Sequence, residues 1–500
     1  MGPVNNLRLT PILCASAGTA AGFYVLFRAP ESVIITVLVL SVAALSFFRV
    51  LSLLEPYDAL SAHSRNLQLT ALCSLVFAAG LCVGVSSANA GRGEINFGMP
   101  EKNVTAVEGV LLEDPRIISS GSAMVTLSLK RCAAGGVRVS GSGELLVFFQ
   151  PLNAKAVRQF GRGATVFAEG SLRSGDRGLS FSAKSLHIVK PAPALERMRT
   201  NIRLSLISRF DSGASGESSR GRWGGLSLAL LLGIRDNLDS EFSAVYSRAG
   251  LSYILSLSGM HLAILTALIA FLLKKPLGLK TSVIVSAVII ILYCLLVGPS
   301  PSLIRAAIMY LLGVIAVLGA LPKKAMAVLA LSFLLQIIFT PAAGNSLSFI
   351  LSYLALLGIF IIGNSLSSLF AGKVPNFILQ PVSASCGAFL ATAGICTLVF
   401  GTLEPVGIAS GLLIVPLTTV FMTGSVIWLL LDMFSLSAFF GYPLSWLYGL
   451  MESIASAAGK APGISVNTVL IIVLSIVISI LIIVLDRRSR AVLLKLDPFL

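Results

Sequence analysis

Residues 250–271 read GLSYILSLSGMHLAILTALIAF, an apolar run that opens on a polar cluster which lipid does not tolerate. Ser256, Ser258 and His261 stand at i, i+2 and i+5, so a helix does not gather them on one narrow face. Gly259 between them permits a close backbone approach or a break. Hydroxyls and an imidazole at membrane depth are stable only where the helix meets other protein or a water-filled cavity. Two readings stay open here: a Ser/Gly contact between helices with one interfacial histidine, and a transport path.

Outward from this stretch, composition sets the class. Of 500 residues, 56% are hydrophobic and 12% charged, and several apolar runs are long enough to cross ~30 Å of hydrocarbon. A polytopic α-helical membrane protein follows. Net charge is +15, which either orients loops by the positive-inside rule or meets an anionic partner such as nucleic acid or acidic lipid. Of seven cysteines, Cys14, Cys73, Cys82, Cys294, Cys386 and Cys396 fall in apolar runs and Cys132 in a polar insert. Neither a disulfide framework nor a metal-ligand spacing emerges, and no cofactor is expected.

Residues 1–90 carry amino-terminal helices at about 11–27, 32–48 and 67–88. Arg8 precedes the first, and without a small-residue cleavage pattern it reads as an uncleaved helix. The loop EPYDALSAHSR, with Arg49 ahead of it and Arg65 at its end, suits the cytoplasm and places the amino terminus inside. Residues 91–190 then face away from the cytoplasm. There, alternating runs near 104–112, 123–131, 136–149, 163–173 and 179–189 are separated by SSGS, AAGG and SGDRG, the pattern of five short strands. Five strands fit an extracytoplasmic all-β, OB-like barrel, a fold that binds single-stranded nucleic acid by pairing a basic groove with aromatic platforms. Lys130, Arg131, Arg138, Arg158, Arg162 and Arg173 are the candidate DNA-binding residues, joined by Lys155 and Arg177, with Phe148, Phe149, Phe160, Phe167 and Phe181 as aromatics. Phe148 and Phe149 are adjacent, so at most one points inward. The plainer reading is a solvated basic surface around core phenylalanines.

Residues 191–225 begin with a basic amphipathic helix, with Arg197, Arg199, Arg203 and Arg209 against Leu195, Met198, Ile202, Leu206 and Phe210. It either lies on the membrane surface or lines the route from barrel to bundle. DSGASGESSRGRWGG after it reads as a flexible linker. Residues 226–490 form the main bundle and 491–500 a short cytoplasmic tail. Apolar runs at about 253–273, 281–297, 302–320, 325–340, 347–364, 376–400, 408–431, 438–456 and 467–485 bring the count to about twelve. Residues 226–234 are a candidate re-entrant piece, and Pro341, Pro381 and Pro416 candidate helix breakers. Lys274, Lys275, Lys280, Lys323, Lys324, Lys373, Arg487, Arg488 and Arg490 then fall on the cytoplasmic side, GPSPS and GTLEP opposite. Arg305 is the costliest residue of the bundle: it either snorkels to headgroups or contacts phosphate with its guanidinium fork. Asp432 reads as interfacial. Ser348 and Ser352 share one face and either bond backbone carbonyls or line a polar path.

Within GLSLALLLGIRDNLDSEFSAVYSRAGLSYILSLSGMHLAIL, the LLLG turn, the charged helix, RAG-L-S and SG-x-H resemble the signature of the ComEC family of competence proteins. Matching positions are Leu230, Gly233, Leu238, Arg248, Gly250, Leu251, Ser252, Ser258, Gly259 and His261. PSLIRAAIMY, SFILSYLALLGI and FGTLEPVGIASGLLIVPL continue the family order, so the resemblance covers roughly residues 1–490. Family members usually have His where Tyr253 stands, Ala-Ile where Ser256-Leu257 stands, and Asn near Ser410-Gly411. The resemblance implies a channel in the cytoplasmic membrane that passes single-stranded DNA inward during natural transformation. It implies lipids, a DNA receptor and a cytoplasmic translocase as partners, and allows a homo-oligomer. Arg248, Ser256, Ser258, Gly259, His261, Arg305, Ser348 and Ser352 are the candidate DNA path. Many members add a metallo-β-lactamase-like domain with an H-x-H-x-D-H cluster. The three histidines here, His63, His187 and His261, are far apart, so the form without that domain is expected. No catalytic constellation is found. The competing readings are a transporter or scaffold for another anionic polymer or lipid, and a membrane protein with a nucleolytic exported domain.

Overall fold

The computed structural model describes residues 10–24, 76–77, 79–88, 95–117, 122–134, 137–150, 160–175, 178–213, 222–321, 324–434, 436, 440–464 and 467–496. The run at 32–48, Arg8, Arg49, Arg65, Lys155, Arg158, Arg177, Lys323 and the last residues of the tail lie outside the described residues. In chain order the elements begin with α1 (Thr10–Tyr24) and α2 (Ala79–Ala88). The insert supplies β1 (Ala106–Leu111), β2 (Arg116–Ile117), β3 (Ala123–Ala134), β4 (Val137–Ser140), β5 (Glu144–Phe149), β6 (Thr165–Gly175) and β7 (Gly178–Lys190). Helices follow as α3 (Ala194–Gly213), α4 (Arg222–Leu232), α5 (Ser240–Arg248), α6 (Ser252–Leu255), α7 (Gly259–Val297), α8 (Pro301–Leu318) and α9 (Ala325–Phe339). The last five are α10 (Leu347–Leu369), α11 (Asn376–Phe400), α12 (Val406–Asp432), α13 (Gly441–Ala458) and α14 (Thr468–Leu496).

Two compact units share these elements: residues 93–303 with 400–466, and residues 1–92 with 304–399 and 467–500. Among the described residues six helices, α7, α8, α10, α11, α12 and α14, are long and apolar enough to cross a membrane. The protein is a mostly helical, multi-pass membrane protein. α9, with 15 residues, is shorter than a straight span requires. Pro341 opens a one-turn 3-10 segment that separates α9 from α10, whereas Pro381 and Pro416 sit inside α11 and α12 without ending them.

In the first unit the insert closes into a small barrel. β1 pairs with both β3 and β6, β3 with β5, and β7 with β5 and β6, so the five longer strands run β1-β3-β5-β7-β6 and back to β1. All these pairings are antiparallel except β5 with β7. Alternation decides what fills it: Val107, Val125, Leu127, Leu145, Val147, Val166 and Phe181 point inward and are buried. Phe149 is buried and its neighbour Phe148 only partly so, as adjacency requires. The expected single run at 136–149 is two strands, because Ser142 leaves the ladder to bridge Asn96.

The linker reading needs correction at both edges. α3 continues through Asp211–Gly213, and RWGG opens α4, in which every residue after Arg222 is buried. Trp223 explains the second shift: its ring packs at 6.2 Å on Phe210 and 5.1 Å on Trp428, an aromatic cluster that holds the glycine pair in a helix.

α7 also departs from a straight rod. Gly278 is non-helical, with φ 71°, one turn after Lys274 and Lys275. Leu231 accepts a hydrogen bond from Tyr293 Oη at 2.7 Å, while a Cβ on Gly233 would stand 2.5 Å from Leu257 Cδ1. Both ends of α7 therefore reach the same end of α4. At ~1.5 Å per residue a straight helix would hold residues 259 and 293 about 51 Å apart, so the chain reverses at Gly278. Each half is ~28 Å long, close to the thickness of the hydrocarbon core.

In the second unit α1 and α2 meet through glycines. A Cβ on Gly18 or Gly22 would collide with the carbonyls of Phe77 or Leu81, and on Gly80 or Gly84 with those of Ala15 or Thr19. Small residues four apart let backbones approach in lipid. Phe23, Leu329, Ile337, Phe349 and Tyr353 form the unit's buried core.

Candidate functional site

The polar cluster around residue 258 resolves into a helix start. α6 is a single turn that ends at Leu255, and the chain extends through Ser256–Ser258 before α7 begins, so the expected helix from 253 is broken. Ser258 accepts a hydrogen bond from Met260 N, and His261 Nδ1 accepts one from the Ser258 N–H at 3.1 Å. This reciprocal arrangement satisfies donors that a helix terminus leaves open. With Nδ1 accepting, the proton is assigned to Nε2. Nε2 makes no hydrogen bond among the described residues. His261 is fully buried, and Gly259 is the first residue of the helix.

The loop before α6 rests on the start of α12. Gly250 and Gly407 touch backbone to backbone, and Ser410 Oγ donates to the Ala249 carbonyl at 2.9 Å. Arg235 Nε donates to the Leu255 carbonyl at 3.1 Å and so caps α6. Arg248 and Tyr253 are exposed and Ser256 half-buried, its hydroxyl donating to the Tyr253 carbonyl. Tyr253, which stands where the resemblance leads one to expect His, is not among the path candidates. Its hydroxyl lies 2.8 Å from where a Cβ on Gly411 would be, so two departures from the family pattern face each other.

α3 joins the barrel to α7 through Arg199. Its Nη atoms donate to both carboxylate oxygens of Asp114, in the β1–β2 loop, and Nη1 also to Glu196 at 3.0 Å. Nε and Nη2 donate to the carbonyls of Leu296 and Val297 at 3.1 and 3.3 Å, and Arg203 Nη1 to Val297 at 2.7 Å. A planar fork with five donors suits this convergence of barrel, connector and helix end. Burial alone would raise the Asp114 pKa, but Arg203 and Arg199 outweigh it and hold the carboxyl below its ordinary value. At the far end of α3, Arg209 pairs with Asp432 at 2.8 Å, so Asp432 is an ion-pair partner in addition to being near a helix end. The sequence singles out Arg199 as part of a basic helix and gives no sign of its acid. Their pairing across 85 residues has no local signature.

Strand register sorts the barrel's basic residues. Ala106 of β1 is level with Ala133 of β3 and Glu169 of β6, so Arg131, Arg138 and Arg173 lie toward one end. Arg131 and Arg138 share a face of the β3–β4 ribbon, and Lys130 sits at a register shift on the same stretch. Arg162 lies at the opposite end, its N–H donating to Asp114 and its side chain 4.0 Å from Glu196. Arg158 lies outside the described residues. Arg131 stands 3.8 Å from Glu108. Phe148 and Phe167 are the half-buried aromatics on the outer surface, while Phe149 and Phe181 belong to the core.

In the other unit Arg305 is 6% exposed, which leaves no room for snorkelling. Nη1 donates to the Ser352 carbonyl at 2.8 Å and the guanidinium lies 5.7 Å from the Tyr353 ring centroid. Nε has no partner, and no carboxylate pairs with Arg305 among the described residues. Tyr353 Oη donates to Gln336 Oε1 at 3.0 Å and contacts Ser332 Oγ at 3.3 Å, making a buried polar patch around one cation. Ser348, four residues before Ser352, is exposed.

Among the described residues no group of three or more His, Cys, Asp or Glu side chains is placed to hold a metal. The model of the competence protein family matches residues 230–490. ComE operon protein 3 of Bacillus subtilis (strain 168) is 29% identical over 248 residues, 46% of this chain and 30% of that protein. An uncharacterized protein of Aquifex aeolicus (strain VF5) is 30% identical over 203 residues, 40% of this chain and 46% of that one. The chain thus spans less than half the length of either relative. No solved structure matches it. The family match takes in more than half of the sequence, from α4 through α14, and with it the capped start of α7, the α12 loop contact and Arg305: the chain belongs to the ComEC family of competence proteins.

Proposed function

We propose that the protein is a DNA-uptake channel of the cytoplasmic membrane, which passes single-stranded DNA inward during natural transformation. The family match over residues 230–490 carries the reading, because those residues are the helical bundle itself. The barrel supports it: five strands closed in the order found here, with one parallel contact, fit the OB-like reading, and OB barrels take single strands in basic, aromatic-bearing grooves. The end with Arg131, Arg138 and Arg173 receives the strand, while the end with Arg162 is tied through Asp114 and Arg199 to α7. In the bundle, Arg248, Ser256, Ser258, Gly259 and His261 in one unit, and Arg305, Ser348 and Ser352 in the other, are the candidate path. Arg305 supplies a desolvated guanidinium that no carboxylate pairs with among the described residues, ready for a phosphate oxygen. The route includes no covalent step. Lipids surround the bundle, and a DNA receptor, a cytoplasmic translocase and a second copy of the chain are the partners the reading implies.

The test uses full-length protein in sealed vesicles, fluorescent single-stranded DNA on one side and nuclease added afterwards. Protected label that needs the protein, and falls when Arg305 is replaced by alanine, is the expected result. Equal protection of polyphosphate would favour a carrier of anionic polymers in general, and shortened strands an exported nuclease. Absence of protection from either polymer would overturn the channel.

A further inference from the structure

We propose that Tyr253 is a stacking platform for a nucleobase, a binding position for single-stranded nucleic acid at the start of the bundle. The inference rests on DNA as cargo and adds a residue and a mode of contact to it. α6 has one turn and two unlike faces: Ile254 and Leu255 are buried, while Ser252 and Tyr253 are exposed and Ser256 half-buried. Tyr253 is 48% exposed. The backbone end is set by a loop packed on Gly407, and the hydroxyl sits against bare backbone at Gly411, 2.8 Å from a Cβ position. A ring seated between that loop and Gly411 and open on about half its surface presents a face.

The exposed chain on either side of that face is polar. Lipid-facing stretches expose apolar side chains, as α7 does at Leu292 and Leu295. Along the chain the exposed residues next to Tyr253 are instead Ser252 and, five positions earlier at the end of α5, Arg248. An aromatic face beside hydroxyls and a guanidinium matches a nucleotide: the base stacks on the ring and the phosphate meets the cation. Every base has a π-face, so the platform tolerates any sequence.

Full-length protein in vesicles is irradiated with single-stranded DNA carrying 5-iodouracil, and the adducts are mapped to peptides. The expected adduct is on Tyr253, kept in Tyr253→Phe, lost in Tyr253→Leu, and reduced in Gly411→Ala, where the new methyl displaces the hydroxyl. Tyr253→Leu is also expected to weaken binding of normal strands roughly tenfold while leaving abasic strands unchanged. Adducts confined to barrel aromatics such as Phe148 or Phe167 would overturn the platform and leave DNA as cargo. Spin labels at 253 reached by oxygen but not by a water-soluble relaxant would overturn it in favour of a ring at the lipid interface. No adduct and no DNA binding at any salt would overturn the platform together with the channel.

Discussion

Arg199 shows at single-residue scale how an expensive group becomes a joint. Five hydrogen bonds run to three segments, so removing Asp114 leaves the buried Arg199 with Glu196 and the half-buried Arg203 without its 3.0 Å ion pair. Asp114→Asn is expected to destabilise the barrel by about 3 kcal/mol, in the range for breaking a buried pair. The sign with pH follows from the lowered Asp114 pKa. Stability from the pair is fully present above the ordinary carboxylate value of ~3.9 and is lost as pH falls through the lower folded value. Thermal unfolding followed by circular dichroism should be flat from about pH 8 to about pH 5 and fall in strong acid. Asp114→Asn should remove that part of the acid transition. Arg305 permits a different separation. Arg305→Ala should sharply reduce transformation frequency at unchanged membrane abundance, and Arg305→Lys, which keeps charge without the fork, should retain part of it. A single lost hydrogen bond within a membrane is worth ~0.6 kcal/mol, so a fall in abundance equal to the fall in uptake would make Arg305 structural. His261→Ala tests the capped helix start by the same two measurements.

At the scale of one element, α3 is inverted. Arg199 and Arg203 turn toward the barrel and α7, while Leu195, Met198 and Ile202 are 65%, 57% and 42% exposed. Apolar residues one helical face apart, at the height where α7 ends, suit lipid better than water. Spin labels at 195, 198 and 202 in reconstituted protein should be accessible to oxygen and shielded from a polar relaxant; the opposite pattern would place α3 along an aqueous route. The sequence pattern displayed this amphipathicity but not its direction, because period alone does not say which face meets protein. The strands were legible for a similar reason in reverse: a closed barrel has one inside, and Val107, Val125, Val147 and Val166 mark it. The break at residues 256–258 was half legible. Ser258 and Gly259 signalled a helix start, yet the apolar run continued through it, and capping by His261 three residues on depends on side-chain geometry. Arg305 was visible as a costly residue, whereas its Tyr353, Gln336 and Ser332 surroundings come from helices with no shared sequence signal.

For the whole molecule, the arrangement of chain across the membrane is where charge and geometry make one testable statement. Lys274, Lys275 and Lys280 flank the reversal at Gly278 and are exposed, and the two ends of α7 return to a common level beside α4. A turn carrying three lysines between two apolar halves is expected on the cytoplasmic side. Residues near 259 and 298 then belong to the opposite side, and so does the barrel, since Arg199 and Arg203 bind it to the carbonyls of Leu296 and Val297. The barrel is therefore expected on the side of the end of α7, to which it is hydrogen-bonded. In a cysteine-free variant, single cysteines at 173 and 299 should react with an impermeant maleimide added to intact cells. Cysteines at 275, and at 324 on the same charge argument, should react only after permeabilisation. Labelling of 275 and 299 from one side would remove the reversal as a membrane crossing, because each half of α7 would then have to lie within one leaflet. Labelling of 275 alone from outside would keep the hairpin and invert the whole chain, placing the barrel in the cytoplasm where it could not receive incoming DNA.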